Sequence, residues 1–393
     1  MELRYGTADE NVRKRSIRDV ILHERQKAGQ RERKKNSGGT FRERAIQSTP
    51  FLFCPSRAGE LAVVNAVNRL AEEEVRAGIF SPVILLPPGT QESILRGLMH
   101  QICRTAFELG IEIGDVHAEV TGSVLQPVIV GTAEGDRFCS LNFQNKYFQN
   151  RNLHNKKAQT TDPEELDIVA AGPVGLEGTC ILAAECTEIL REKFPLTILK
   201  RMDLPAKELC VLETVESMSP EYERDGILPD CQTDNMSPEY ERKNIFPDYE
   251  ADEDKRGSEN RFVPVPAAMV SLGDGGFFTG LWQLSQKTGC GLEVDLQAVP
   301  VLQETIEITN ELEINPYAMR SAGSLLIAAR DGERLAEYLL HKGAVSARIG
   351  KLTGSRDRIL RNGEEIRYLD RPQTDALAQW FLENKIFHQE NFN

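Results

Sequence analysis

Residues 167–179 read D-I-V-A-A-G-P-V-G-L-E-G-T, and this stretch decides the fold. Four of its first five residues, I-V-A-A (168–171), form a short apolar run, which predicts a buried strand at 167–171. The glycines and the proline that follow predict a turn. The chain then continues into a predicted helix whose apolar residues are Ile181, Leu182, Ile189 and Leu190. A strand, a glycine-rich turn and a helix are therefore expected in direct succession.

The turn within this stretch is a candidate binding site. Backbone N–H groups at the start of a helix can hold a phosphate, which makes Gly175, Glu177 and Gly178 candidate contacts. An ordinary glycine turn explains the same residues equally well, because the Glu177 carboxylate would oppose an anion there. Both interpretations remain open from the sequence.

Strands and helices alternate on both sides of this stretch. Upstream, V-I-L-L (83–86) predicts a strand, and Thr90 is placed to cap a helix that ends at Gly110. Further strands are predicted at 111–113, 127–130, 291–296, 324–328 and 344–349, and further helices at 277–288, 303–312 and 332–342. Asn362-Gly363 predicts a hairpin with a type I′ turn. Because strands and helices do not alternate as a regular series of βαβ units, an α+β sandwich is favoured over a Rossmann sheet.

The composition is that of a folded chain. Its 393 residues suffice for two domains or for one large α/β domain with additions. Hydrophobic residues make up 40% and the formal charge is −13, which argues against a uniformly basic nucleic-acid binder. We see neither an apolar run of about 18 residues nor a secretory leader, so we expect no membrane span and a cytoplasmic location. The eight cysteines are scattered without a C-x-x-C pair, which fits buried, reduced thiols.

The charge is unevenly spread along the chain. Residues 1–44 carry 13 Lys/Arg against 7 Asp/Glu, and the stretch 31–39 has no apolar residue. We predict a basic, partly disordered arm, with a nucleic-acid or acidic-partner arm as the alternative. Residues 216–260 carry 14 Asp/Glu against 5 Lys/Arg, and M-S-P-E-Y-E-R at 218–224 returns at 236–242. This pattern predicts a disordered acidic repeat insert, with a docking peptide for a basic partner as the alternative.

Two further segments carry candidate ligands. In D-V-H-A-E, Asp115, His117 and Glu119 would share one face of a strand and could bind a divalent ion, although a solvent-facing strand explains them as well. The turn with Asp274, Gly275 and Gly276 opens a helix and offers the same two interpretations as the turn at 175–178. The standard NTPase, dinucleotide, hydrolase and zincin motifs do not occur in the sequence.

Several separated motifs carry a resemblance to a known family. They are G-E-L-A-V-V-N-A-V-N-R-L-A (59–71), L-L-P-P-G-T (85–90), H-A-E-V-T (117–121), Q-P-V-I-V-G-T-A (126–133), the stretch 167–179, and the run 274–353 that contains N-P-Y-A-M-R-S-A-G-S-L-L-I-A (315–328). In this order they resemble the aminoimidazole-ribonucleotide (AIR) synthetase superfamily, nearest its hydrogenase expression/formation (HypE-type) branch.

The resemblance implies two α+β domains, which we place at 45–163 and 164–393. It implies an N-terminal domain that forms a barrel with a second copy, a C-terminal α/β sandwich domain, and ATP with Mg²⁺ in a cleft. It also implies phosphorylation of an amide- or carboxamide-type oxygen, and in the HypE-type branch a maturation-protein partner. The implied nucleotide-binding positions are Asn68, His117, Glu119, Gly175, Glu177, Gly178, Asp274, Gly275 and Gly276. We assign no catalytic residue and no metal ligand.

The chain departs from the family pattern where that pattern carries carboxylates. The family's Asn-Asp is Asn68-Arg69 here, its Thr-Asp-Pro is Ser48-Thr49-Pro50, and its C-terminal accepting cysteine is missing from N-F-N (391–393). Because Mg²⁺ depends on oxygen ligands, we expect a degenerate ATP/Mg²⁺ site and a binding or maturation-associated role. The alternative is an active ATP-dependent enzyme with rearranged ligands.

Overall fold

Two β-sheets organise the molecule, one on each side of residue 164. The computed structural model describes residues 6–7, 14–27, 44–51, 56–138, 166–218 and 265–384. The first sheet contains β1 (Gly6–Thr7), β2 (Arg44–Phe51), β3 (Val75–Leu86), β4 (Glu112–Ile113), β5 (His117–Val120) and β6 (Val128–Arg137). Its strand order is β1-β5-β3-β6-β2, with β4 beside β3. The sheet is thus open, with β1 and β2 at its edges.

The described residues of this first half form three α-helices: α1 (Asp19–Lys27), α2 (Ala58–Ala71) and α3 (Glu92–Glu108). The sequence of α2 is apolar nearly all round, and thirteen of its fourteen residues are buried, as expected of a helix with protein on every side. It contacts the first sheet on one side and β8 (Ala268–Ser271) of the second half on the other. Gly59 allows α3 to approach closely, since a Cβ there would lie 2.7 Å from Leu98 O.

The second sheet has seven strands. They are β7 (Asp167–Ala171), β8, β9 (Gly291–Asp295), β10 (Leu325–Ala329), β11 (Ser346–Thr353), β12 (Arg358–Asn362) and β13 (Glu365–Tyr368). Their order is β13-β12-β9-β11-β7-β10-β8, and all neighbours are antiparallel except β12 and β9. β7 lies inside the sheet and is buried over 168–171, which explains its unbroken apolar run.

The helices of the second half fall into two groups. Before the acidic segment are α4 (Leu176–Glu185), α5 (Thr187–Leu190), α6 (Leu196–Arg201) and α7 (Leu212–Ser217). After it are α8 (Gly276–Thr288), α9 (Gln303–Glu311), α10 (Gly332–His341) and α11 (Ala376–Glu383). No helix in the described parts of the chain combines the length and apolar character needed to cross a membrane.

Most predicted elements are confirmed, and several details are wrong. Thr90 does not cap α3: its hydroxyl donates to Pro87 O at 2.6 Å and closes the P-P-G turn, while Gln91 is the N-cap residue. The hairpin turn is centred on Gly363 and Glu364, because Asn362 pairs with Glu365. Only Gly363 has a positive φ, of 60°, which is the type II′ pattern instead of I′. The helix predicted to run through 181–190 is two helices, α4 and α5.

The two charged segments are partly folded. Within 1–44, a π-helical turn (Lys14–Arg18) and α1 pack against α3, and Arg15 and Ser16 both donate to Glu92. The stretch 31–39 lies outside the described residues, as do 219–264 and with them nearly all of the predicted acidic insert. Its first residues are folded, since Ser217 ends α7 and Met218 is buried. The predicted boundary between the two domains, between residues 163 and 164, stays a prediction.

Five of the eight cysteines fall in the described residues: Cys103, Cys180, Cys186, Cys210 and Cys290. All five are free thiols, and all except Cys210 are buried. This confirms the prediction of reduced thiols for the part of the chain that the structure describes.

Candidate functional site

A buried ion pair links three of the segments that the sequence singled out. Arg320 Nε donates to Glu177 Oε1 at 3.0 Å, and Asn65 Nδ2 donates to the same oxygen at 3.0 Å. Arg320 also reaches Asp274 Oδ1 with Nη1 at 3.1 Å and Asn65 Oδ1 with Nη2 at 3.3 Å. The Ala322 N–H donates to the second oxygen of Glu177 at 3.0 Å. These residues, with Asp375 described below, are called the Arg320 cluster.

Local sequence explains why these groups meet. Glu177 lies in the first turn of α4, which begins after Gly175 at a φ of 79°, a backbone conformation that favours glycine. Gly178 follows, and a Cβ there would lie 2.6 Å from Met319 Sδ. The absence of a side chain at Gly178 therefore lets the loop with Met319 and Arg320 cover the start of α4.

Burial makes this pairing obligatory. The side chains of Arg320 and Glu177 are 5% and 0% exposed. Burial alone would lower the pKa of Arg320, but the carboxylates of Glu177, Asp274 and Asp375 outweigh it and leave that pKa raised. The arginine is therefore a fixed cation that offsets part of the negative charge of the carboxylates around it.

A second carboxylate occupies the start of α8. Asp375 Oδ2 accepts the Gly275 N–H at 2.7 Å, while Oδ1 accepts from Leu377 N at 3.0 Å and Ala378 N at 3.4 Å. Asp375 therefore caps α11 and holds it against the turn that opens α8. Burial raises its pKa to about 6, against the opposing effects of Arg320 and the Gly275 hydrogen bond.

Four glycine N–H groups of the two turns are bonded within the chain. Gly175 N donates to Ser321 Oγ at 2.9 Å and Gly178 N to Arg320 O at 3.0 Å. At the other turn, Gly276 N donates to Gly273 O at 3.0 Å, and Gly275 N is held by Asp375. As arranged, these turns present hydrogen bonds to their own chain. Their assignment as phosphate contacts stays a prediction.

The other predicted positions lie elsewhere. Asn68 links the two halves, since Nδ2 donates to Leu209 O at 2.8 Å and Oδ1 accepts from Val211 N at 2.9 Å. His117 and Glu119 point outward from β5, as their alternation predicts, and His117 Nε2 lies 3.4 Å from Glu119 Oε2. Arg69 pairs with Glu72 at 3.6 Å. The structure thus unites Glu177 and Asp274 and leaves Asn68, His117 and Glu119 in separate hydrogen-bonding groups.

Sequence reasoning missed Arg320, Asp375 and Asn65. Arg320 was visible as a lone cation in N-P-Y-A-M-R-S-A, and Asp375 as an N-cap signal before A-L-A-Q-W-F-L. Asn65 had a signal too, as a polar residue in an apolar helix. Among the described residues, no group of three or more His, Cys, Asp or Glu side chains is arranged to hold a metal ion.

Comparison with known proteins identifies this architecture. Residues 265–361 match the family model of the AIR synthase related protein, C-terminal domain. This segment therefore matches the C-terminal domain of AIR synthase related proteins. The matched region supplies Asp274 and Arg320, whereas Asn65, Glu177 and Asp375 come from outside it. The cluster therefore joins the superfamily domain to the rest of the chain.

Solved structures share this fold over most of the chain. E. coli HypE, a hydrogenase maturation protein, is 17% identical with a TM-score of 0.60, over 92% of this chain and 100% of its own. HypE in complex with ATP is 15% identical with a TM-score of 0.57, over 93% and 96%. The HypE–HypF complex gives 16% and 0.55, over 84% and 90%. None of the curated protein sequences matches the chain. At these identities the likeness is one of fold.

Proposed function

We propose that this protein uses the HypE-like fold to bind a partner in a maturation process, without ATP-dependent chemistry. One observation carries the proposal: the buried Arg320 forms ion pairs with both Glu177, which is buried, and Asp274, which is exposed. A site for Mg²⁺ and a nucleotide needs carboxylate oxygens that are free to face the ion. It also needs N–H groups that are free to face a phosphate. The Arg320 cluster engages both kinds of group.

ATP and Mg²⁺ would need groups of the Arg320 cluster that already form hydrogen bonds within the chain. Both Glu177 oxygens accept hydrogen bonds from the chain, and the Gly275 N–H already faces the carboxylate of Asp375. An incoming phosphate would meet Asp375 at that turn, and like charges repel. These contacts support the proposal that the Arg320 cluster, as arranged, does not fit the nucleotide and its metal ion, and we derive no step through them.

For the partner we propose another maturation protein. The support is that one structural neighbour is a complex of HypE with HypF. We also propose a homodimer in which the first sheets of two copies join in a shared barrel. The open edges of that sheet, β1 and β2, leave backbone groups available for such pairing. Sedimentation velocity of the full chain tests the dimer, and a monomer at all concentrations would contradict it.

An ATP-dependent enzyme is the second candidate. It is favoured by the neighbouring HypE structure that holds ATP and by the exposed pair His117 and Glu119 on β5. In this proposal Glu119 and Asp274 would be the functional carboxylates, and Asp274 would have to leave Arg320. The side chain of Asp274 is already 70% exposed, so such a movement changes its exposure to solvent only slightly.

Isothermal titration of the full chain with ATP, with and without Mg²⁺, separates the two candidates. We expect neither heat nor thermal stabilisation at millimolar ATP, and no Mg²⁺-dependent hydrolysis. Micromolar Mg²⁺-dependent binding, or hydrolysis abolished by Glu119→Ala or Asp274→Ala, would overturn the binding-protein proposal.

A matched control is available for these two variants. Glu293 forms an ion pair with Arg361 at 2.5 Å in the second sheet, outside the cluster. Glu293→Ala removes one carboxylate without touching the proposed site. An effect of this control equal to that of Asp274→Ala would show a general loss of stability, not a loss of nucleotide contacts.

A further inference from the structure

A pocket of about 670 Å³ opens between the two halves of the molecule. It shares no lining residue with the Arg320 cluster. Its walls come from the start of α2, the end of α3, the second half of α4, α6 and the segment 203–206. Volumes of roughly 300–1,000 Å³ between packed units are typical of small-molecule sites.

One wall of this pocket is a fixed set of charges. Glu60 Oε2 accepts from Arg57 Nε at 3.0 Å, and Glu60 Oε1 pairs with Arg104. Arg57 Nη2 also donates to Leu204 O at 2.6 Å, across the two halves. Two guanidinium groups share one carboxylate, so this wall carries a net positive charge when all three groups are ionised. The Arg104 side chain is 58% exposed and can present its remaining N–H groups to a ligand.

The mouth of the pocket carries charges of both signs. Lys200, Asp203 and Glu108 line it, and within the described residues none of these three side chains forms an ion pair. Burial raises the pKa of Glu108, an effect that a bound cationic group would oppose. Arg104 and Lys200 therefore line the same pocket as two carboxylates that form no direct ion pair among the described residues. Arg104 and Lys207 act on Glu108 without such a contact and oppose the effect of burial on its pKa.

Part of the pocket lining is apolar. Ala183, Leu196 and Leu199 line it, and burial raises the pKa of the Cys180 thiol to about 11, which keeps it neutral. A ligand that covers this wall removes apolar surface from water, which favours binding by about 25 cal/mol per Å². Leu196 would lose the most solvent-exposed apolar surface on binding, because about half of its surface is open to solvent.

One polar group of the pocket lacks a partner. Thr105 is 1% exposed, and its Oγ1 has no hydrogen bond to any described residue. A threonine hydroxyl within a helix can bond to the carbonyl four residues earlier, and here it does not. An unsatisfied buried hydroxyl destabilises the fold. A ligand atom that bonds to Thr105 would recover part of this cost.

We propose that this pocket binds a zwitterion with an apolar body: a free α-amino acid or a short peptide with aliphatic side chains. The ligand carboxylate lies between Arg104 and Lys200, and its ammonium group between Glu108 and Asp203. The aliphatic part covers Leu196 and Leu199. This inference does not depend on whether the protein binds ATP.

Isothermal titration of the full chain with four probes tests the charge requirement. The probes are L-leucine, L-leucyl-L-leucine, 4-methylpentanoic acid and 3-methylbutylamine. We expect at least one zwitterion to bind about tenfold more tightly than both single-charge analogues, as a charge-assisted hydrogen bond predicts. The zwitterion that binds distinguishes a free amino acid from a peptide. Failure of both zwitterions to bind, or equal binding of a single-charge analogue, would overturn the proposal.

Two variants place the ligand in this pocket. Lys200→Ala should weaken binding by about fivefold, whereas Lys193→Ala should not. Lys193 is an exposed lysine that pairs with Glu311 at 3.3 Å, and it does not line the pocket. Thr105→Val should weaken binding and leave the melting temperature equal or higher, because it removes an unsatisfied hydroxyl of nearly the same size. Unchanged affinity in both pocket variants would place the ligand elsewhere and contradict the proposal.

Discussion

Glu72 joins the two halves of the molecule through Ser271. One of its carboxylate oxygens accepts the Ser271 backbone N–H at 2.6 Å and the Ser271 hydroxyl at 2.7 Å. Glu72 follows α2 directly, and Ser271 ends β8. Two adjacent glutamates extend this connection: Glu73 binds Lys287 of α8 at 2.8 Å, and Glu74 is buried beside them. Three acidic residues in a row therefore form a junction with the second half.

Removing the Glu72 carboxylate should weaken this junction. We expect Glu72→Ala to lower the free energy of unfolding by about 2–3 kcal/mol, because it leaves the Ser271 N–H and hydroxyl without their acceptor. Ser271→Ala should cost only about 1 kcal/mol, since the N–H bond survives. Urea denaturation measures both values. Equal losses in the two variants would contradict the assignment of the stronger effect to the carboxylate.

The Arg320 cluster should behave as a coupled pair. Arg320→Met leaves Glu177 buried without its cation, and we expect a loss of about 3–5 kcal/mol. Glu177→Gln in the same chain should restore part of that stability, because a neutral amide tolerates the apolar surroundings better. A double-mutant cycle by chemical denaturation measures the coupling. Additive effects of the two substitutions would show that the ion pair contributes nothing specific.

Glu74 should make stability depend on pH. Burial raises its pKa to about 7, with smaller effects from Arg137, Glu73 and Lys287. The native state therefore binds this proton more tightly than the unfolded chain does, and stability falls as the pH rises from about 4.5 to about 7. The Oε2 atom of Glu74 has no hydrogen-bond partner among the described residues.

Glu74→Gln tests this dependence. The variant should be more stable than the natural chain above pH 7, by no more than about 3 kcal/mol. Its advantage should shrink as the pH falls towards 4.5. Melting temperatures measured across this range give the difference, with the exposed Glu333→Gln on α10 as the control. An advantage that stays constant with pH would exclude titration of Glu74 as its cause.

Asp375 should hold α11 in place. Asp375→Ala removes the acceptor for Gly275 N, Leu377 N and Ala378 N, so α11 loses both its cap and its link to α8. We expect faster amide hydrogen exchange over 376–383, and a loss of about 1–2 kcal/mol typical of a helix cap. Hydrogen exchange measured by mass spectrometry reports the change. Protection of α11 equal to that in the natural chain would show that apolar contacts alone hold the helix.

Much of the fold follows from short stretches of sequence. The strand 167–171 is found with its predicted bounds, because the apolar run over 168–171, followed by a glycine, is a local signal. The hairpin turn at Gly363 was placed within one residue but given the wrong type, because the strand register sets which residues occupy its centre. Thr90 shows the same limit. Its hydroxyl was expected to cap α3, but it donates to the Pro87 carbonyl oxygen instead.

The candidate site was only partly visible from the sequence. Glu177, Asp274 and the glycine turns were identified from their places at predicted helix starts. Nothing local indicated that Arg320 would fill the space between them, because Arg320 lies 143 residues from Glu177 and Asn65 lies 112 residues from it. Asp375 is likewise 100 residues from the Gly275 N–H that it accepts.

The sequence by itself determined most of the elements and the resemblance to the AIR synthetase superfamily, because apolar periodicity, glycine turns and motif order are properties of neighbouring residues. Only the tertiary structure decided that Glu177 and Asp274 face an internal arginine, and that Thr105 and Lys200 line one pocket. The physical reason is that charge pairing depends on distance in space and on burial. Both are fixed only when two sheets and their helices have packed together.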